Sequence, residues 1–228
     1  MNIARIIETV RSTKIVTMIV PTLDSELAKS LRDCDSVLDL GCGPKSPVRN
    51  ITWMSRRVGV EAFHPYVETA RLNQTHDEIW EASILGLEIE ENSFDAVIII
   101  DVIEHMTRED AQATISLAKR IARKKVVINS PNGFIAQEAL DGNELQKHLS
   151  GWDLPDMKSL NFEVRGLAGL KVLRREVDNG SMGDDLLTTI RFRPRFFWFI
   201  VSTLSQPMTY LIPRFAFSLF SVYCKPIK

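Results

Sequence analysis

Cysteine is scarce in this chain, with three residues in 228: Cys34, Cys42 and Cys224. An odd number with no close pair makes no disulfide framework, so a reducing, cytoplasmic compartment is expected. No Cys/His cluster has the spacing of a zinc site, and no metal is assigned. Net charge is nearly absent too, at −1. Bulk charge therefore offers nothing to attract nucleic acid, and no nucleic-acid partner is expected. An unbroken apolar run is missing from Met1 to Val20, where Arg5, Glu8, Arg11 and Lys14 intervene. A secretory signal peptide needs such a run and is not expected. Ile3, Ile6, Ile7 and Val10 recur instead at helical spacing, which predicts an amphipathic helix packed on the domain. Internal repeats and low-complexity tracts are also absent.

What is present suits one soluble globular domain: 45% hydrophobic and 25% charged residues over a length that fits a single core with an insertion. Strands are predicted at Ser36 to Leu40, Val58 to Phe63, Ile79 to Ala82, Phe94 to Asp101 and Val126 to Asn129. The β-branched run through Ile98, Ile99 and Ile100 fits a strand buried on both faces. Thr107 with Asp110 reads as a helix start, and Ala111, Ile115, Ala118 and Ala122 share one face of that helix. Its basic end, Lys119-Arg120 and Arg123-Lys124-Lys125, reads as a complement to the helix dipole. Later strands are expected at Phe162 to Leu167 and Phe215 to Tyr223. Alternating strands and helices argue for an α/β fold with a parallel sheet and right-handed crossovers.

Val37-Leu38-Asp39-Leu40-Gly41-Cys42-Gly43-Pro44 is the strongest local signal. A strand running into closely spaced glycines lets backbone approach a ligand, and a helix starting after the turn would offer free N–H groups to an anion. Glu61 follows about twenty residues on, at a strand end, where an acid accepts hydrogen bonds from a ribose diol. A nicotinamide-binding fingerprint would need glycine where Ser46 stands, which argues against a dehydrogenase.

With Ser93-Phe94-Asp95-Ala96-Val97 and Asp101-Val102-Ile103-Glu104-His105-Met106 added, the first 135 or so residues resemble the seven-β-strand, class I methyltransferases that use S-adenosylmethionine. The last segment is similar to that of quinone-biosynthesis-type small-molecule enzymes. The resemblance implies a Rossmann-like, seven-stranded, mostly parallel sheet with helices on both faces, finished by a reversed strand at Phe215 to Tyr223. An aromatic-rich helical insertion, 185–213, would precede that strand. The halves would be 31–135 for the cofactor and 136–228 for the acceptor, after an N-terminal helical segment, 1–30. The resemblance further implies that Asp39, Gly41, Cys42 and Gly43 hold the methionine end and Glu61 the ribose, with residues around Asp101 near the sulfonium. Ala62 and Ile84 join this set by position. Ser83 stands where the family usually has Asp for the adenine amino group, and Lys45 where it often has a third glycine. The implied reaction is methyl transfer to a small-molecule or lipid-like acceptor, with oxygen the expected atom. The alternative is a non-catalytic cofactor-binding module acting in a complex.

His105 ends the fourth strand, the edge where α/β sheets place ligands. It is either a general base for a hydroxyl acceptor or an orderer of its loop. Glu104, His148 and Trp152 are placed on the acceptor side, Trp152 as substrate wall or core anchor. His64 is expected in solvent, His76 in a polar loop, and Asn132-Gly133 with 137–143 as a lid. The segment Arg191 to Pro213 is uncharged from Phe196 to Pro213. Three readings stay open for it: a helical insertion that buries its aromatics or roofs an apolar pocket, an interfacial helix on anionic lipid, and a membrane span.

Overall fold

The computed structural model describes residues 20–175, 187 and 189–226. The amphipathic helix expected over Met1 to Val20 lies almost wholly outside them, as does the start of the 185–213 insertion. Among the described residues, thirteen helices and strands build the domain. They run α1 (Leu23–Ser30), β1 (Ser36–Leu40), β2 (Arg56–Glu61), α2 (His64–Leu72), β3 (Glu78–Glu81), β4 (Phe94–Ile100) and α3 (Arg108–Ile121), then β5 (Ala122–Pro131), α4 (Leu154–Ser159), β6 (Glu163–Leu170), α5 (Arg195–Leu204), α6 (Gln206–Leu211) and β7 (Ala216–Cys224). The seven strands form one sheet in the order β3-β2-β1-β4-β5-β7-β6. The strands β1 to β5 are parallel, and β7 is antiparallel to both β5 and β6. This is the expected Rossmann-like methyltransferase fold with its reversed strand.

Alternation along the central strands divides the core between the two faces of the sheet. Leu38, Val97, Ile99 and Ile128 pack on one side with Ile115 and Ala118 of α3. Their neighbours Val37, Ile98 and Val127 pack on the other with Leu27 and Leu31 of α1. Helix α3 begins where expected, with Thr107 Oγ1 accepting from the Asp110 N–H at 3.1 Å. It ends one residue early: Ala122 already opens β5. Arg123-Lys124-Lys125 are therefore strand residues, and only Lys119 and Arg120 lie in the helix's last turn.

The basic run instead ties the sheet's far end together. Arg123 and Lys124 donate to Asp95 at 2.8 and 3.1 Å, and the Asp35 N–H adds a third bond at 2.9 Å. Burial pushes the Asp95 carboxyl up, but the Asp35 N–H, Arg123 and Lys124 outweigh it and hold it at about 2. A carboxyl held below its ordinary 3.8 stabilises the fold above that pH and loses the contribution as pH falls toward 2. Asp95→Ala should lower unfolding free energy by about 1–3 kcal/mol at pH 7. The difference from wild type should shrink as denaturant melts are repeated between pH 4 and pH 2 (roughly the titration window). A difference that does not change with pH would remove the charge from the account.

Candidate active site

The sheet's order reverses between β1 and β4, and ligands of α/β sheets sit outside the carboxyl ends of strands at such a point. Gly41, Glu61, Asp101 and Asn129 all come to this edge. Gly41 and Gly43 are left-handed, at φ 76° and 56°. A Cβ on Gly41 would lie 2.5 Å from Val102 Cγ2, whereas one on Gly43 would point into open space. The first glycine serves close packing and the second leaves room on the ligand side.

The loop's donors are spent inside the protein. Gly41 and Cys42 N–H both donate to the Val60 carbonyl, at 2.8 and 3.0 Å, and Gly43 N–H donates to Glu61 Oε2 at 3.0 Å. The chain then makes a short 3₁₀ turn, Pro47–Asn50, in place of the expected helix, and Ser46 caps it by accepting from Val48 N–H. An anion cradle of free N–H groups is thus not what this loop offers.

What it offers is negative charge. Asp39 is 1% exposed. Its Oδ2 accepts from Ser46 Oγ at 2.5 Å and His76 Nε2 at 3.1 Å, while its buried Oδ1 has no hydrogen-bond partner. Glu61 accepts from Gly43 and Phe63 N–H and keeps lone pairs to spare. Such acceptors fit the ammonium and ribose hydroxyls of S-adenosylmethionine. Asp101 is left-handed at φ 53°, a strained position for a non-glycine residue, and its carboxylate accepts from Asn129 Nδ2 at 2.7 Å. Although Asp101 is exposed, crowding by the surrounding protein raises its carboxyl to about 6.

Where adenine is expected, Ser83 is exposed, accepts from Leu85 N–H at 3.2 Å, and is followed by buried Ile84; Ala62 is exposed beside Glu61. Cys42 is buried and its thiol is pushed far up by burial, then by Asp39 and Glu61, so it acts as a small apolar wall rather than a nucleophile.

The sequence reading missed His76 and Ser46. His76 lies in the loop expected, but it is buried there and Nε2 donates to Asp39, with Thr75 at its other nitrogen. The available signal was Gly59 inside β2, because glycine within a strand marks a close approach. A Cβ there would lie 2.8 Å from Cys42 Sγ and 2.9 Å from His76 Nδ1. His64 is exposed and paired with Glu81 at 3.0 Å.

The expected acceptor side is formed by the 3₁₀ turn Ile103–His105 and the loop that precedes α4. Leu149 and Ser150 N–H donate to the Glu104 carbonyl, at 2.8 and 3.0 Å. Trp152 Nε1 donates to Ile103 O and Ser150 Oγ, and Arg108 lies over the ring at 4.8 Å. Trp152 is 1% exposed, so it anchors the core and offers no wall to an acceptor. His105 and His148 meet edge to face, 4.7 Å between ring centres. Burial lowers His105 to about 4, helped by His148, and burial also lowers His148. Part of the expected lid is tied down: Asp141 accepts from Tyr66 Oη at 3.1 Å, across from α2, and Gln137 Nε2 donates to Gln146 O.

A Rossmann-like sheet with an acidic, glycine-shaped edge at its switch point defines an α/β domain with a ligand site at that edge. Residues 38–128 match the family described as "Methyltransferase domain", and the protein is a methyltransferase that uses S-adenosylmethionine. The fold is shared with the methyltransferase domain of bacterial CtHen1-C (16% identity, 90% of this chain and 97% of that one, TM-score 0.54). It is shared also with the N-methyltransferase NodS from Bradyrhizobium japonicum (14%, 90% and 94%, TM-score 0.54). A third likeness is to magnesium protoporphyrin IX methyltransferase from Synechocystis, solved with bound S-adenosylmethionine (14%, 99% and 85%, TM-score 0.50). No curated protein matches the chain.

Glu61→Ala should weaken S-adenosylhomocysteine binding by on the order of 2–4 kcal/mol, since charge-assisted bonds to the ribose and the Gly43 anchor are lost together. Isothermal calorimetry reads this, and an affinity equal to wild type would take Glu61 out of the site.

Proposed function

We propose that the protein methylates a hydroxyl of a small, apolar or lipid-like acceptor at a membrane surface, near the quinone-biosynthesis-type enzymes in chemistry. The observation that carries this reading is the inverted polarity of α5 and α6. Apart from Phe199, their buried positions are polar: Ser202, Gln206 and Thr209. Their exposed positions include Phe196, Phe197, Ile200, Leu204, Met208 and Leu211. A helix pair that buries its aromatics was one expectation, and among the described residues only Phe199 of α5 does so, at 5% exposure. Glycines explain how polar residues come to be inside. Gly166 and Gly169 of β6 let the helix backbone approach so closely that a Cβ on either would lie 2.2 Å from the Thr209 or Ser202 carbonyl. Gln206 bridges the same strand, donating to Gly166 O and accepting from Gly169 N–H.

The outer face thus has large apolar side chains beside Arg193, Arg195 and Arg214, the composition of an interfacial helix on anionic lipid. Among the described residues no helix is long and apolar enough to cross a membrane, which removes the spanning alternative for α5 and α6. Phe134, Leu145 and Leu149, all exposed on the loop that carries His148, would suit an apolar acceptor.

When bound, S-adenosylmethionine supplies a methyl group already activated on a sulfonium. The protein's part is to position and to remove a proton. Asp39 and Glu61 would hold the cofactor's ammonium and ribose. Asp101 would stand near the sulfonium, with Glu104 and His148 shaping the acceptor side. His105 Nδ1 lies 3.2 Å from the Lys147 carbonyl, which only accepts, so the ring donates there and Nε2 carries the lone pair. In this reading that lone pair takes the acceptor's proton.

His105→Ala should lower methyl transfer about 10²- to 10⁴-fold while S-adenosylhomocysteine affinity stays within about twofold. A labelled methyl donor and a lipid extract as acceptor pool provide the assay. Unchanged turnover would leave His105 only its loop-ordering role. Flotation tests the surface: wild type should rise with anionic vesicles at low salt. The double substitution Phe196→Ser with Phe197→Ser should bind at least about tenfold less, as two partly inserted rings are lost. Wild type that stays with the soluble fraction would end the membrane reading.

A further inference from the structure

Glu104 and His105 belong to the Ile103–His105 turn after β4, and His148 to the loop before α4. The fold nevertheless brings one ligand atom of each, a carboxylate oxygen and two ring nitrogens, within 4.8 Å of one another. Glu104 is 3% exposed, so its carboxyl group is held away from water. Two imidazoles with one carboxylate form a donor set matched to divalent first-row transition ions and poorly matched to magnesium or calcium.

The surroundings of the rings match as well. His148 Nδ1 donates to the Ile135 carbonyl at 2.7 Å, and His105 Nδ1 donates to the Lys147 carbonyl. Metal-ligating histidines almost always use their second nitrogen this way, which fixes the ring and turns the other lone pair to the ion. The turn and the loop are clamped together by the Leu149 and Ser150 N–H bonds to Glu104 O. Ser150 Oγ also donates to Ile103 O, at 3.1 Å. The two rings and the Glu104 backbone are therefore held in place by contacts that need no ion.

We propose that Glu104, His105 and His148 bind one divalent transition-metal ion, which holds and activates the acceptor's hydroxyl. This rests on the reading that a hydroxyl is methylated at this edge, and it moves the His105 lone pair from the proton to the ion. A hydroxyl on the ion is acidified. Its proton leaves to solvent water, and its oxygen lone pair forms the new C–O bond as the C–S bond of the donor breaks. The products are the methyl ether, S-adenosylhomocysteine and the proton, with no oxidant or reductant required.

The test uses the full chain, stripped with a chelator and dialysed, titrated with Co²⁺ by absorbance and with Zn²⁺ by calorimetry. One ion per chain should bind, with cobalt d–d bands. Glu104→Gln and His148→Gln should each weaken binding at least about tenfold, leaving S-adenosylhomocysteine affinity and circular dichroism as in wild type. Because Glu104 is buried and its variant can misfold, the His105 and His148 ring protons are also followed by NMR in wild type. Co²⁺ should shift both. No uptake of either ion at micromolar concentration, variants that bind like wild type, or unshifted rings would each overturn the site. Methylation that survives complete metal removal would overturn the ion's role and leave His105 as base. Tight ion binding with no methylation of any hydroxyl acceptor would support the site and sink the hydroxyl reading instead.

Discussion

A carboxylate with no access to water is costly unless the protein surrounds it with donors, and Asp39 sets that requirement at the end of β1. Two of its neighbours exist to meet it. Ser46 reaches back from beyond the glycine turn, and His76 reaches across from the far end of α2's connection to β3. His76 can come that close only because β2 carries glycine at position 59, where a Cβ would collide with both the imidazole and Cys42. The glycine turn, the 3₁₀ turn behind it and the neighbouring strand are thus arranged around one buried charge. Only one oxygen is satisfied from inside. The remaining oxygen is buried without a partner, so the same constraint that organises the loop leaves an unmet demand for a donor at this edge.

The cofactor half was legible in sequence because its elements carry short-range signals. A β-branched run with no polar interruption reads as a central strand, and β4 is one, buried at nearly every position. Thr107 and the face led by Ala111 and Ile115 read as a capped amphipathic helix, and α3 is that helix. The ends were less legible for a physical reason. Ala122 continues the helical spacing of Ala118, but β5 begins there because Arg123 and Lys124 find Asp95, which lies outside any local window. The loop's N–H groups read as free for an anion, yet the Val60 carbonyl and Glu61, supplied by a neighbouring strand, already use them.

On the acceptor side the decisive contacts are longer still in sequence. His105 could be picked out from its strand end, but nothing near it in sequence points to His148. The two are brought together because Ile103 and Glu104 present carbonyls that Ser150, Leu149 and Trp152 capture. Trp152 shows the same logic from the other direction. A tryptophan in a polar loop reads equally as a wall or an anchor, and the choice falls to whether its N–H has a buried partner. It has two, Ile103 O and Ser150 Oγ, and the ring goes inward.

Composition alone could not orient the aromatic segment, since an apolar helix is ordinarily assumed to face the core. In α5 and α6 the core face is instead assigned by the strand beneath. Gly166 and Gly169 offer backbone, not side chains, and backbone at such range is satisfied by Ser202 and Gln206. The phenylalanines are left outside by that choice. The helix pair is also tied to the chemistry edge. Asn132 Nδ2, at the end of β5, lies within 3.2 Å of the Pro213, Arg214 and Ala216 carbonyls that follow α6. The next residue, Gly133, donates its N–H to Trp152 O in the acceptor loop. The exposed apolar face and the His105–His148 edge are therefore joined through two adjacent residues, Asn132 and Gly133. A surface that docks through Phe196 and Phe197 would set the position of the acceptor loop without any separate hinge, which is what a methyl acceptor drawn from that same surface requires.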